Sequence, residues 1–145
     1  YADTDSIHMI GLDVPESLEK HIHPKDFGFL KRESQFARAK FVRPKTYIED
    51  ECVFYTYDEN GNILTDEYGD EQYEHVDYGK HNGVLMNVKC AGLDDRSKKY
   101  VTYENFYIGS NITVPDDGKK LRPKKVKGGT VLTKIDISIR EGFRR

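Results

Sequence analysis

The sequence predicts an α+β fold in which antiparallel strands outnumber helices. Three observations point that way. β-Branched and aromatic residues alternate with charges over much of the chain, turn signals such as Asn60-Gly61 and Gly128-Gly129 separate these runs, and only two short stretches carry helix signals. The 145 residues are 37% apolar and include ten Tyr and seven Phe. That is enough bulk for a core without disulfides, and Cys52 and Cys90 form no disulfide framework. No apolar run approaches the roughly 18 residues of a membrane span, and no signal peptide opens the chain, so a soluble intracellular domain is expected. The chain opens on Tyr1, directly in a charged motif, as though cut from something longer.

Tyr1 to Leu12 reads as a hairpin with its bend near Asp3-Thr4-Asp5. A helix is predicted next, capped by Asp13 with Glu16 in capping-box spacing, with Pro15 in its first turn, Leu18 and Ile22 on one face and Pro24 as its stop. Phe27 to Phe54 reads as two or three antiparallel strands, followed by a turn at Asn60-Gly61. Asp66 to Lys80, acidic and dotted with Tyr, is expected to be an exposed loop or insertion. Val84 to Ala91 predicts a strand, and Asp94 to Tyr107 a helix started by Asp94 and Asp95 and ended by Gly109. Turns at Pro115-Asp-Asp-Gly118 and Gly128-Gly129 precede a strand from Thr130 to Ile139. No internal repeat is evident.

The formal charge of −2 hides a strong pattern. Residues 1–30 carry −4, 31–47 carry +5, 48–80 carry −10, 81–115 carry +1 and 116–145 carry +6. Two basic blocks therefore flank an acidic one. A polyanion can dock on the basic blocks while the acidic segment faces elsewhere, although charge runs are also common as plain solvated surface.

Asp3 and Asp5 set two carboxylates two residues apart, on one face of an extended strand and roughly 7 Å from each other. Such like charges repel unless a cation lies between them, which suits one or two Mg²⁺ ions that leave positions for phosphate and water. The matching chemistry is phosphoryl transfer in which two metals about 4 Å apart clamp the attacking and leaving oxygens. A further carboxylate from another strand is normally needed.

Tyr1-Ala2-Asp3-Thr4-Asp5-Ser6 is similar to the Tyr-x-Asp-Thr-Asp-Ser motif of family B DNA polymerases, which lies on a hairpin of the palm. Lys45-Thr46-Tyr47 resembles that family's Lys-x-Tyr motif at the primer terminus. Lys89-Cys-Ala-Gly-Leu93, Val101-Thr-Tyr-Glu-Asn-Phe106 and Gly128-Gly-Thr-Val-Leu132 resemble the thumb of the protein-primed branch, found in phages whose linear genomes carry a terminal protein. The resemblance runs from Tyr1 to about Ile139, loosest over Tyr55 to Asn87 and Gly109 to Lys127. It implies an antiparallel palm hairpin and strands with one or two short helices, then a small β-rich thumb. Residues 1–88 would be the C-terminal part of the palm, with an acidic insertion at about 55–87, and residues 89–145 the thumb.

By that resemblance Asp5 would ligate both catalytic metals and Asp3 support them through water. Lys45 would rest on the primer backbone and Tyr47 against the sugar edge, while Lys89, Lys98, Arg122 and Lys124 would face duplex phosphates. The implied activity is template-directed dNTP addition to a primer 3′-OH, with Mg²⁺ as cofactor, and the implied partners are primer-template DNA, dNTP and a terminal priming protein. The expected location is the host cytoplasm, with no membrane partner. Lacking the other palm carboxylate motif, the fingers and an exonuclease, residues 1–145 are expected to be inactive alone. The rival reading is a stand-alone DNA-binding or clamp-like module without turnover. A zinc site at His21, His23, His8, Cys52 and Cys90 lacks paired-ligand spacing, and Asp58 to Asn62 places its glycine two positions early for a calcium loop.

Overall fold

The computed structural model describes residues 1–3, 6–115 and 119–141, with Asp3 described by its backbone alone. Antiparallel strands dominate, with two single-turn helices, as expected. The order is β1 (Ala2–Asp3), β2 (Ser6–Ile7), α1 (Glu16–Glu19), β3 (Phe36–Arg43), β4 (Thr46–Tyr55), β5 (Tyr73–His75), β6 (Gly83–Cys90), α2 (Asp95–Lys98), β7 (Asn111–Ile112), β8 (Lys120–Val126), β9 (Gly129–Ile135) and β10 (Ile137–Ser138). β4 is the hub, pairing with β3, β5 and β6 in a four-stranded sheet. β1–β2, β7–β10 and β8–β9 form separate antiparallel pairs.

β4 is buried along almost its whole length despite the run Glu49-Asp50-Glu51. Buried carboxylates need partners, and Arg38 Nε donates to Asp50 Oδ2 at 2.6 Å.

The chain divides into two compact units, the first holding residues 1–39 and 49–87 and the second residues 40–48 and 88–145. In the second, Ile48, Val88, Val101, Phe106, Ile112, Val114, Ile137 and Ile139 form the core. In the first, Cys52, Val53 and Tyr55 are buried, and Gly83 leaves room for the Tyr55 ring: a Cβ there would lie 2.7 Å from the ring.

Both predicted helices shrink to one turn. Pro15, not Asp13, occupies the cap of α1 and makes no side-chain capping bond. The chain then leaves the helix to bridge Ile22 with Leu30. α2 is properly capped, Asp94 Oδ1 accepting from Ser97 N at 2.9 Å, but it stops at Lys98. Beyond it Asn105 exchanges bonds with the Thr102 main chain and hydroxyl and donates to Tyr100 O, offering the backbone a competing turn. The strand predicted for Thr130 to Ile139 is interrupted at Asp136, whose Oδ1 accepts from Val114 N at 3.2 Å. Of the turn predicted at 115–118, residues 116–118 lie outside the described residues.

The acidic segment corrects the expectations of a plain loop and of no repeat. Asp58 accepts the N–H groups of Asn60 and Asn62 on Oδ1, and Asp66 accepts those of Tyr68 and Asp70 in the same way. In each turn the aspartate N–H reaches the carbonyl four residues on, at 2.8 Å, and glycine donates back to the aspartate carbonyl at 3.1 Å. Thr56, Leu64 and Gln72, eight residues apart, then bond in a closed ring: Leu64 N to Thr56 O at 2.7 Å, Gln72 N to Leu64 O at 2.8 Å and Thr56 N to Gln72 O at 3.2 Å. The arm is thus a three-legged meander whose last leg runs into β5.

Candidate functional site

The first candidate site is the opening hairpin. Ala2 pairs with Ile7 and Asp3 with Ser6. His8 N donates to Tyr1 O at 2.7 Å, extending the ladder by one pair. Alternation then puts Tyr1, Ser6 and His8 on one face. The His8 ring packs 5.3 Å from that of Tyr1 and 6.3 Å from that of Phe36. Its Nδ1 lies 3.2 Å from Glu49 Oε2, an ionic contact without hydrogen-bond alignment. Glu49 is 4% exposed; burial pushes its carboxyl above the usual range, against the pull of His8 and of the Asn87 amide. Asp5 and the Asp3 side chain lie outside the described residues. Among the described residues no three His, Cys, Asp or Glu cluster as a metal site.

The second candidate is the β3–β4 turn, Pro44-Lys45. Lys45 is exposed and adopts a φ of 59°, the only positive value at a non-glycine position among the described residues. Tyr47 is only 9% exposed, its ring centroid 5.4 Å from that of Phe41.

The third is the β8–β9 hairpin, where Lys120, Arg122 and Lys124 share one face opposite Ile135, Thr133 and Val131. Every β8 residue is exposed. Neighbouring cations on that face stand about 7 Å apart, twice the roughly 3.4 Å rise per nucleotide of one strand. Lys120 Nζ donates to Gly92 O, and Lys98 Nζ is held by Asp95 Oδ1 at 2.7 Å, so these two are anchored. Lys89 is exposed on β6.

The second unit therefore holds Lys45, Tyr47, Lys89, Lys98, Arg122 and Lys124, while Asp3 belongs to the first. Sequence reasoning missed Glu49, hidden in an acidic run, and Lys120. The alternation along β8 was the available signal for Lys120.

No family model matches the chain. It is 36% identical over 145 residues to the DNA polymerase of Bacillus phage phi29, covering 97% of the chain and 21% of that polymerase. The chain is homologous to a segment of phage DNA polymerases. The chain is also 34% identical over 141 residues to the DNA polymerase of Streptococcus phage Cp-1. The solved structure of phi29 DNA polymerase complexed with single-stranded DNA superposes with a TM-score of 0.73 at 34% identity, over 97% of the chain and 22% of that polymerase. The complex of phi29 DNA polymerase with primer-template DNA gives 0.71 over the same shares. The segment spans about a fifth of the length of the curated relatives it matches.

Proposed function

We propose that the chain is part of a protein-primed family B DNA polymerase, residues 1–88 serving as the C-terminal part of the palm, with the acidic insertion at about 55–87, and residues 89–145 as the thumb. The observation that carries this is the 36% identity to phi29 DNA polymerase over 97% of the chain, together with a TM-score of 0.73. Asp3 and Asp5 are hard oxygen donors, a set that suits Mg²⁺, which keeps waters and substrate phosphates in its remaining positions. When bound, the metal supplies charge neutralisation at the transferring phosphoryl group. Asp5 is the direct ligand and Asp3 the support.

The remaining work falls to the cations. Lys45 holds the primer backbone, with Tyr47 packed beside the terminal sugar. Lys89, Lys98, Arg122 and Lys124 grip duplex phosphates without reading sequence, as an enzyme that must move along any template requires. Primer-template DNA and dNTP are the substrates, a terminal protein the priming partner, and the host cytoplasm the place of action. No helix among the described residues is long and apolar enough to cross a membrane.

The purified 145-residue chain is expected to bind primer-template in a salt-sensitive manner, measured by fluorescence anisotropy, and to add no dNTP in a Mg²⁺-dependent extension assay. Absence of salt-sensitive binding overturns the thumb assignment, and measurable extension overturns the inactivity of the chain alone. An upstream reading frame without polymerase motifs favours a clamp-like module instead.

A further inference from the structure

Glu49 does not stand alone. The Asn87 amide on β6 donates to both Glu49 Oε1 and Glu51 Oε1, at 3.3 Å each. Glu51 Oε2 lies 2.8 Å from His75 Nε2, and Ser34 Oγ donates to Glu51 Oε1 at 3.5 Å. A continuous polar chain, His8–Glu49–Asn87–Glu51–His75, therefore runs within the first unit from the carboxylate-bearing hairpin to β5, the last leg of the acidic arm. The Asn87 amide separates two carboxylates that would otherwise repel, and each carboxylate meets one imidazole. Glu49 is the critical link because it is buried: its Oε2 is shut off from water and has no hydrogen-bond partner, and the His8 ring, 3.2 Å away, is what it meets.

We propose that Glu49 and Asn87 are positioning residues that fix the hairpin through His8 and brace it against the base of the acidic arm through Glu51 and His75. The hairpin itself is too small to hold a carboxylate to the fraction of an ångström that metal chemistry needs, its two strands being two residues each. The brace supplies that restraint from a buried strand. Its catalytic consequence rests on the polymerase reading; the mechanical claim does not.

In the 145-residue chain, Glu49→Leu is expected to raise hydrogen exchange at the His8 amide, which donates to Tyr1 O, about tenfold while leaving the β8–β9 amides unchanged. Glu49→Gln, which keeps the shape of the side chain beside His8 and can still accept from Asn87, is expected to restore protection. His8→Phe keeps the ring packing on Tyr1 and Phe36 and gives the same loss should Glu49→Leu fail to fold. Unchanged protection of the residue 8 amide in both variants overturns the brace. In a polymerase carrying this segment, Glu49→Leu should lower kcat about tenfold with an unchanged KM for primer-template, and Glu49→Gln should recover it. A fall that merely follows the folded fraction, read by circular dichroism, overturns the positioning role. If that polymerase extends no primer even with Glu49 in place, the polymerase reading falls, while the exchange result still decides the brace.

Discussion

Lys45 pairs an exposed charge with a strained backbone. Pro44 suits the first central position of the turn, and Lys45 takes the left-handed conformation at the second, where glycine or asparagine is usual. Holding a lysine there costs on the order of 1 kcal/mol. Lys45→Asn should therefore keep or slightly raise the thermal midpoint while lowering the salt slope of duplex binding by about 1. Asp94 offers a second test. Its hydrogen bonds from the Ser97 hydroxyl and main chain, joined by Arg96, hold its carboxyl below the usual range. A depressed folded-state value means stability that is present above the unfolded value near 3.8 and is lost as pH falls through the lower folded one. Asp94→Ala should thus lower the midpoint at neutral pH, and the gap to the parent chain should close under acid titration. Both residues were legible in the sequence, Asp94 as a helix start and Lys45 from its motif. Glu49 was not, because its burial depends on β4 lying beneath the hairpin, which no local pattern announces.

The exposed elements differ sharply from the buried ones in what they tolerate. Arg122 and Lys124 lie on a strand with no buried residue, so Arg122→Gln with Lys124→Gln should leave the melting curve in place. The same pair should reduce the salt slope of duplex binding by about 2. Gly83 is the opposite case. Its Cβ would press on the Tyr55 ring at 2.7 Å, and Tyr55 is 8% exposed. Gly83→Ala should destabilise by about 1–3 kcal/mol in urea titration, as overpacking does. Strand existence was readable at β3, β6 and β9, whereas β8, a basic run holding Pro123, was not expected as a strand. Helix length was not: the signal at Asp94 marked a start and that at Asp13 fell two residues short of the cap, while Asn105 side-chain bonding and the bridge from Ile22 to Leu30 ended both helices after one turn. Those are tertiary and side-chain choices that periodicity does not encode.

Across the whole molecule, the two units assemble from interleaved stretches, since β4 contributes to both. The six expected DNA-contacting residues, Lys45 and Tyr47 among them, fall in one unit. The arm was harder to foresee. Its turns share only an aspartate and a glycine three residues later, too little to stand out as a repeat, yet the closed ring through Thr56, Leu64 and Gln72 makes the pattern structural. That ring sets a gauge for the arm. Its closing bond joins Thr56, the residue after β4, to Gln72, the residue before β5, so the two strands are held at one spacing where the arm leaves the sheet.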